Sequence, residues 1–254
     1  EHASGYRPEH QEWTFGMQGQ PGLYLEAAGG LAVNFRGQVD RIDVKPSEGG
    51  PTLYRIMDYK SGTKQVDYNR LWHGLDLQLP VYLEAVQTLL AEEQGWTAED
   101  AMYYSLSLPT EQAAHQTHAD QLRPDLHDAK QLQKPLSALK LEQEALTELR
   151  AHSLERAREG LDKLQEGHVP AVPRTVKARS PQLPCRYCPY SGICQIERAE
   201  GNYEELPTVR EVWQTLHPDE RAPTNRESLE RLLGETNCAV KLAGRAGAAG
   251  VSRL

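Results

Sequence analysis

Asp58, Tyr59 and Lys60, with Asp40 upstream of them, are the residues of this chain best suited to do chemistry. They lie in Gly37-Gln-Val-Asp-Arg-Ile-Asp43 and Arg55-Ile-Met-Asp-Tyr-Lys-Ser-Gly62, each of which reads as a β-strand carrying an acid at or near its end. Two carboxylates and a lysine brought together are what metal-assisted phosphodiester cleavage requires. Carboxylates a few ångströms apart repel each other unless a cation lies between them. Hard oxygen donors with open positions suit Mg²⁺ or Mn²⁺. Such an ion lowers the pKa of a bound water and neutralises phosphate charge. Lys60 would position that water or stabilise the pentacovalent transition state. A general-base role would need a depressed pKa, which adjacent acids oppose. By itself an Asp-x-Lys on a strand is more often a solvated surface pair, so the surrounding elements decide.

Strand alternation puts Asp58 and Lys60 on one face and Tyr59 on the other. Asp40 belongs to an apolar stretch, residues 31–44. A loop with Pro46, Gly49, Gly50 and Pro51 leads from it to a second strand, 53–60. Antiparallel pairing of the two would bring Asp40 beside Asp58. Residues 22–28 read as a further strand. Residues 78–90 read as a helix on which Gln78 and Tyr82, four apart, share a face. Residues 101–108 read as a fourth strand and 109–135 as a polar excursion. Leucines from Leu139 to Leu164 give 136–167 a core-facing helical pattern. Residues 227–233 suit a short helix, and the Gly- and Ala-rich stretch from 237 is expected to be mobile. The fold class expected is α/β, a mixed central β-sheet flanked by helices.

Cys185, Cys188 and Cys194 give C-x₂-C-x₅-C after Pro184. The tight pair places two thiolates on one metal, and the turn at Pro189 and Gly192 brings in the third. Zinc and iron–sulfur clusters both need thiolates held in this way, normally four. A disulfide is disfavoured, because the chain is long, intracellular in character and shows no signal peptide, which points to the cytoplasm.

Taken in order, these motifs resemble the RecB-type branch of the PD-(D/E)xK nucleases, most closely the C-terminal nuclease domains of AddB helicase-nuclease subunits. The resemblance rests on Glu12-Trp-Thr-Phe15-Gly16, Gly37-Gln-Val-Asp40-Arg-Ile-Asp43, Ile56-Met-Asp58-Tyr-Lys60-Ser-Gly62, Leu77-Gln78-Leu-Pro-Val-Tyr82-Leu and the cysteines. It implies a restriction-endonuclease-like sheet, metal ligation by Asp40 and Asp58, and a catalytic Lys60. It also implies that Gln78 and Tyr82 help to hold the DNA strand and the site. Cys185, Cys188 and Cys194 would bind a [4Fe–4S] cluster, favouring iron over zinc. Asp43 beside Arg41 is a supporting acid or an ion-pair partner, and the structural reading is preferred. Related nucleases take a fourth cysteine and a catalytic histidine from upstream. No cysteine precedes Asp40 here, and the early histidines are His2 and His10, in a stretch unlike that histidine motif. The expectation is therefore a fragment of a longer protein, with an incomplete cluster and one metal ligand missing. Cys238 is the remaining thiol, in the Gly/Ala-rich tail.

The expected organisation is a nuclease core over 1–183, a cysteine segment over 184–205 and a C-terminal extension over 206–254. A net charge of −8, from 28 Lys and Arg against 36 Asp and Glu, is unusual for a DNA-binding chain. Basic groups are nevertheless clustered: Arg174, Lys177, Arg179 and Arg186 stand without acids, and Lys45, Lys60 and Lys64 lie near the proposed site in sequence. Acidic residues over 142–159 suit a solvated or partner-facing helix. No transmembrane run or phosphate-binding G-x₄-G-K-[ST] loop is present. The function expected is Mg²⁺-dependent hydrolysis of a DNA strand emerging from a duplex. The chain would act as a module of a bacterial helicase-nuclease in double-strand break repair, with a helicase-nuclease partner subunit. The alternatives are a non-catalytic DNA-binding scaffold and a stand-alone exonuclease like the CRISPR-associated four-cysteine enzymes.

Overall fold

The computed structural model describes residues 5–62, 64–106, 136–168, 170, 172–176, 185, 188–190 and 203–248. The expected excursion over 109–135, Cys194, Lys177, Arg179, Arg186 and the side chain of Cys238 lie outside the described residues. In chain order the strands are β1 (Arg7–Phe15), β2 (Leu23–Glu26), β3 (Ala32–Phe35), β4 (Gly37–Lys45), β5 (Thr52–Lys60), β6 (Trp96–Ser105), β7 (Leu136–Ala138), β8 (Arg174–Val176) and β9 (Glu204–Leu206). The helices are α1 (Tyr68–Trp72), α2 (Gln78–Val86), α3 (Glu92–Gln94), α4 (Gln143–Gln165), α5 (Val209–Leu216) and α6 (Asn225–Ala248). The chain divides into two compact units, Glu1–Leu25 with Ala32–Val66 and Leu77–Arg150, and Glu26–Leu31 with Asp67–Asp76 and Ala151–Leu254.

The first unit is built on a five-stranded sheet of order β1-β4-β5-β6-β7. The pairs β1–β4, β4–β5 and β6–β7 are antiparallel, and β5–β6 is parallel. This is the mixed sheet of the expected α/β class. β5 occupies the centre because its run Leu-Tyr-Arg-Ile-Met is apolar enough to be covered on both faces. Tyr54 and Ile56 are fully buried with Ile42 and Val44 of β4, and helix α2 packs on β5 and β6 through buried Leu79, Leu83 and Val86. On the opposite face Met57, Met102 and Ala138 form a small apolar cluster with Tyr104 against it.

Several boundaries differ from the sequence reading. The stretch 31–44 is two strands: β3 pairs with β2, and β4 pairs with β1 and β5. The break falls at Arg36, just before Gly37, where a Cβ would stand 2.8 Å from the Phe15 ring and 3.2 Å from that of Tyr82. β1 has no strand signal of its own, because its sequence is polar and its edge position leaves most of it exposed. It tolerates Pro8 beside a register shift, as an edge strand can. Helix α2 passes at Gln87 into a π-helical turn, Gln87–Ala91, and α3 then ends at left-handed Gly95 (φ 66°). At that widening the buried Tyr54 hydroxyl lies 3.4 Å from the Leu83 carbonyl and 3.3 Å from Gln87 Oε1. β6 begins at Trp96, ahead of the expected 101, and 136–138 is a strand, so the long helix starts at Gln143.

In the second unit α1, α5 and α6 pack together around buried Leu71, Val209, Trp213, Leu229, Leu232 and Leu233. Thr208 and Glu211 form a reciprocal capping box that starts α5, and Asn69 Oδ1 accepts from the Val209 amide at 3.0 Å. The expected short helix at 227–233 lies inside α6. His152 stacks on Trp72 with ring centroids 4.5 Å apart. Its Nε2 is 2.7 Å from the Trp72 carbonyl, and His73 Nε2 is 2.7 Å from that of Pro207, so both rings donate from Nε2. Burial pushes the pKa of each below the ordinary histidine value, and nearby Arg156 lowers both further. Among the described residues no helix is long and apolar enough to cross a membrane.

Candidate active site

All five residues singled out for catalysis fall in the first unit, on β4, β5 and α2. The β4–β5 ladder pairs Ile42 with Ile56 and Arg41 with Met57, and there it ends. Continued by one residue, the same register sets Asp40 opposite Asp58 on one face of the sheet, where directly opposed Cβ atoms are roughly 5 Å apart. Where the ladder stops, the Tyr59 amide donates instead to Asp40 Oδ2 at 2.7 Å. The strand end thus exchanges a backbone bond for one that fixes a carboxylate.

Asp58 is only 3% exposed, and its parallel neighbour on β6 is the equally buried Tyr103. An ionised carboxylate there needs compensating charge and donors. Lys60 supplies the charge, its ammonium contacting Asp58 Oδ2. Gln78 supplies a donor, with Nε2 2.9 Å from Asp58 Oδ1, while its Oε1 accepts from Lys60 Nζ at 2.9 Å. Gln78 Nε2 is also 3.4 Å from the Tyr82 hydroxyl, one helical turn on. Gln78 stands at the first position of α2, so its side chain projects back toward the strand ends. The Tyr82 ring meets Phe15 edge-on, with centroids 6.1 Å apart, and Phe15 in turn stacks on Trp13 of β1.

Asp43 faces the other side of the sheet. It is fully buried between two guanidinium groups: Arg41 Nε and Nη2 lie 2.5 and 3.1 Å from its oxygens, and Arg55 Nε and Nη2 lie 3.2 and 2.9 Å away. This is the ion-pair role expected of it, with Arg55 as a second partner. Lys45, grouped with the site in sequence, stands at the far end of β4 from Asp40. It pairs with Glu99 at 3.6 Å and lies over the Tyr6 ring, so it adds no charge to the site. Lys64 does lie near, over the Tyr103 ring. Sequence reasoning misses Phe15 as support for Tyr82, the Tyr59 amide as a clamp on Asp40, and Tyr103. Only Phe15 leaves a signal, as part of Glu12-Trp-Thr-Phe15-Gly16.

Asp40 and Asp58 together are a hard oxygen donor pair that fits a small divalent ion. Among the described residues no group of three or more His, Cys, Asp and Glu side chains gathers as a fuller cage. Two carboxylates suffice for Mg²⁺, which keeps several waters and takes the rest of its shell from phosphate. In the cysteine segment Cys185 and Cys188 are half-buried, and the Cys188 amide donates to the Cys185 carbonyl at 3.0 Å. That closed turn suits a paired-thiolate ligand, while Cys194 lies outside the described residues.

A family model described as the PD-(D/E)XK nuclease superfamily matches residues 1–195. Several curated proteins similar to this chain are named as a subunit of an ATP-dependent helicase/deoxyribonuclease. That of Clostridium botulinum (strain Loch Maree / Type A3) is 38% identical over 104 residues, covering 41% of this chain and 9% of that protein. That of Moorella thermoacetica is 41% identical over 107 residues, 41% of this chain and 9% of its own length. That of Caldanaerobacter subterraneus subsp. tengcongensis is 24% identical over 254 residues, 85% of this chain and 22% of that protein. This chain thus spans between 9% and 22% of these relatives.

Proposed function

Because the chain belongs to the PD-(D/E)XK nuclease superfamily, we propose that it is the Mg²⁺-dependent DNA nuclease module of a helicase-nuclease acting in double-strand break repair. The observation that carries this reading is the Asp58–Lys60–Gln78 network facing Asp40 across the end of the β4–β5 ladder. The name the relatives carry, a subunit of a helicase/deoxyribonuclease, supports DNA as substrate and a helicase-nuclease partner.

Asp40 and Asp58 would hold the ion, which when bound activates water and neutralises phosphate charge. The Tyr59 amide holds the Asp40 carboxylate toward that position. Gln78 spans Lys60 and Asp58, so the ammonium is fixed beside the scissile phosphate, where it offsets charge developing on the phosphoryl oxygens. Tyr82, braced by Phe15, closes the helix side of the site and gives the strand a hydroxyl to lean on. The test is Asp58→Ala in the full-length protein within its native assembly. Mg²⁺-dependent strand cleavage should disappear while binding of the strand persists. Undiminished cleavage sinks the assignment, and loss of cleavage together with unchanged Mg²⁺ binding transfers the ligand role elsewhere.

The cysteine segment is part of the same proposal. Cys185, Cys188 and Cys194 hold a [4Fe–4S] cluster that staples the segment in place and takes no part in hydrolysis; its fourth ligand is unassigned. Iron and acid-labile sulfide in the anaerobically purified full-length protein, lost in Cys188→Ser, are the expected result. Zinc in their place would overturn it.

A further inference from the structure

Trp13 of β1 pairs across the antiparallel ladder with Val39, the neighbour of Asp40. Its indole is half-buried and has no part in the carboxylate network. One side of it rests on Phe15, with ring centroids 5.7 Å apart and planes 26° from parallel. Among the described residues no other ring, cation or hydrogen-bonding group meets the indole. Phe15 is itself buried and meets the Tyr82 ring edge-on, and the Tyr82 hydroxyl lies 3.4 Å from Gln78 Nε2. Trp13, Phe15 and Tyr82 thus form an aromatic row from the Gln78 network to the edge of the sheet.

Packing alone is a poor account of this indole. The rest of β1 is mostly polar and exposed, and a large flat ring left partly in water on an edge strand invites association with other chains. The backbone is also kinked just before it, because Glu12 holds a left-handed φ of 53°, uncommon outside glycine. A nucleobase has the complementary surface. Every base presents a flat π-face, so an aromatic platform takes it without regard to sequence. The charge at this rim favours a base over a phosphate. Glu12 is exposed beside Trp13, and the nearest cation along β1, Arg7, is paired with Glu9 at 3.3 Å. The ion held by Asp40 and Asp58, together with Lys60, brings positive charge to the scissile phosphate. Stacking on Trp13 would add affinity beyond that phosphate without a further cation, in a chain of net charge −8.

We infer that Trp13 is a base-stacking platform, which takes on its indole a base flanking the phosphate held at Asp40 and Asp58. This rests on the nuclease reading given above and makes single-stranded nucleic acid the ligand of this edge. A stacked base is held alike in the bound substrate and in the transition state, so Trp13 sets KM and not kcat.

The experiment uses the full-length protein in its native assembly, with ATP omitted. Two single strands of equal length and charge are compared, an oligothymidine and an oligomer of abasic deoxyribose units. Trp13→Ala should raise KM for cleavage of the oligothymidine about tenfold, within what one stacked base contributes, and leave kcat nearly unchanged. On the abasic strand Trp13→Ala and the unmodified protein should behave alike, and Trp13→Tyr, which keeps a ring, should recover most of the loss. Without Mg²⁺, irradiation of a strand carrying 5-iodouracil should attach it to Trp13, read by mass spectrometry of the crosslinked peptides. An unchanged KM in Trp13→Ala overturns the inference, as does the absence of a crosslink at Trp13. An equal loss on the abasic strand also overturns it, because the indole would then only support the fold. Asp58→Ala is run alongside: if it still cuts, the nuclease reading fails, while the crosslink reports on Trp13 independently of cleavage.

Discussion

Gln78 is a neutral amide set between opposite charges, and its two ends are used differently. The carbonyl end takes the Lys60 ammonium and the amino end takes the Asp58 carboxylate. No charged side chain does both, since a glutamate would repel Asp58 and a lysine would repel Lys60. A comparable constraint governs Gly37, which has no side chain because two aromatic rings occupy the space. Gly37→Ala should push Phe15 away from Tyr82, costing about 1–3 kcal/mol by overpacking. It should also lower cleavage beyond what the loss of stability explains, because Tyr82 would lose its brace. Denaturant melts together with single-turnover cleavage at a temperature where both proteins are folded check this. A destabilised variant with full activity would show that the Phe15–Tyr82 contact only supports the fold.

At the scale of elements, what was legible in the sequence followed from periodicity. Strand alternation alone places Asp58 with Lys60, and the hairpin around Gly49 and Gly50 sets Asp40 opposite. A helical turn pairs Gln78 with Tyr82. What was not legible depends on partners distant in sequence. β1 is polar and is a strand only because β4 offers it an edge, with Phe15 opposite Gly37. The break in 31–44 exists because β3 and β4 answer to different neighbours. Tyr103 reaches the site through a parallel pairing that no local turn announces. The π-helical turn after α2 begins where the buried Tyr54 hydroxyl meets Leu83 and Gln87, a contact set by β5 and invisible in the helix sequence.

For the molecule as a whole, the second unit should respond to acid more sharply than the first. His73 and His152 are neutral donors whose pKa values are lowered chiefly by burial, with Arg156 adding repulsion to each, Arg174 to His73, and Glu204 and Glu155 opposing. In the unfolded chain the same rings protonate near their ordinary value of about 6.5. The unfolded state therefore binds more protons in the window below that value, and stability present above it is lost as pH falls. The melting temperature should drop between about pH 7.5 and about pH 5.5. Replacing both histidines with glutamine should flatten that dependence, while a melting temperature that rises on acidification would contradict it. The bond from Tyr59 to Asp40 carries a different consequence. A backbone proton held by a carboxylate resonates and exchanges unlike one facing solvent, and an ion taken up by the same carboxylate draws charge away from the oxygen that accepts it. One amide signal, followed during a titration without any nucleic acid, would thus register how full the site is.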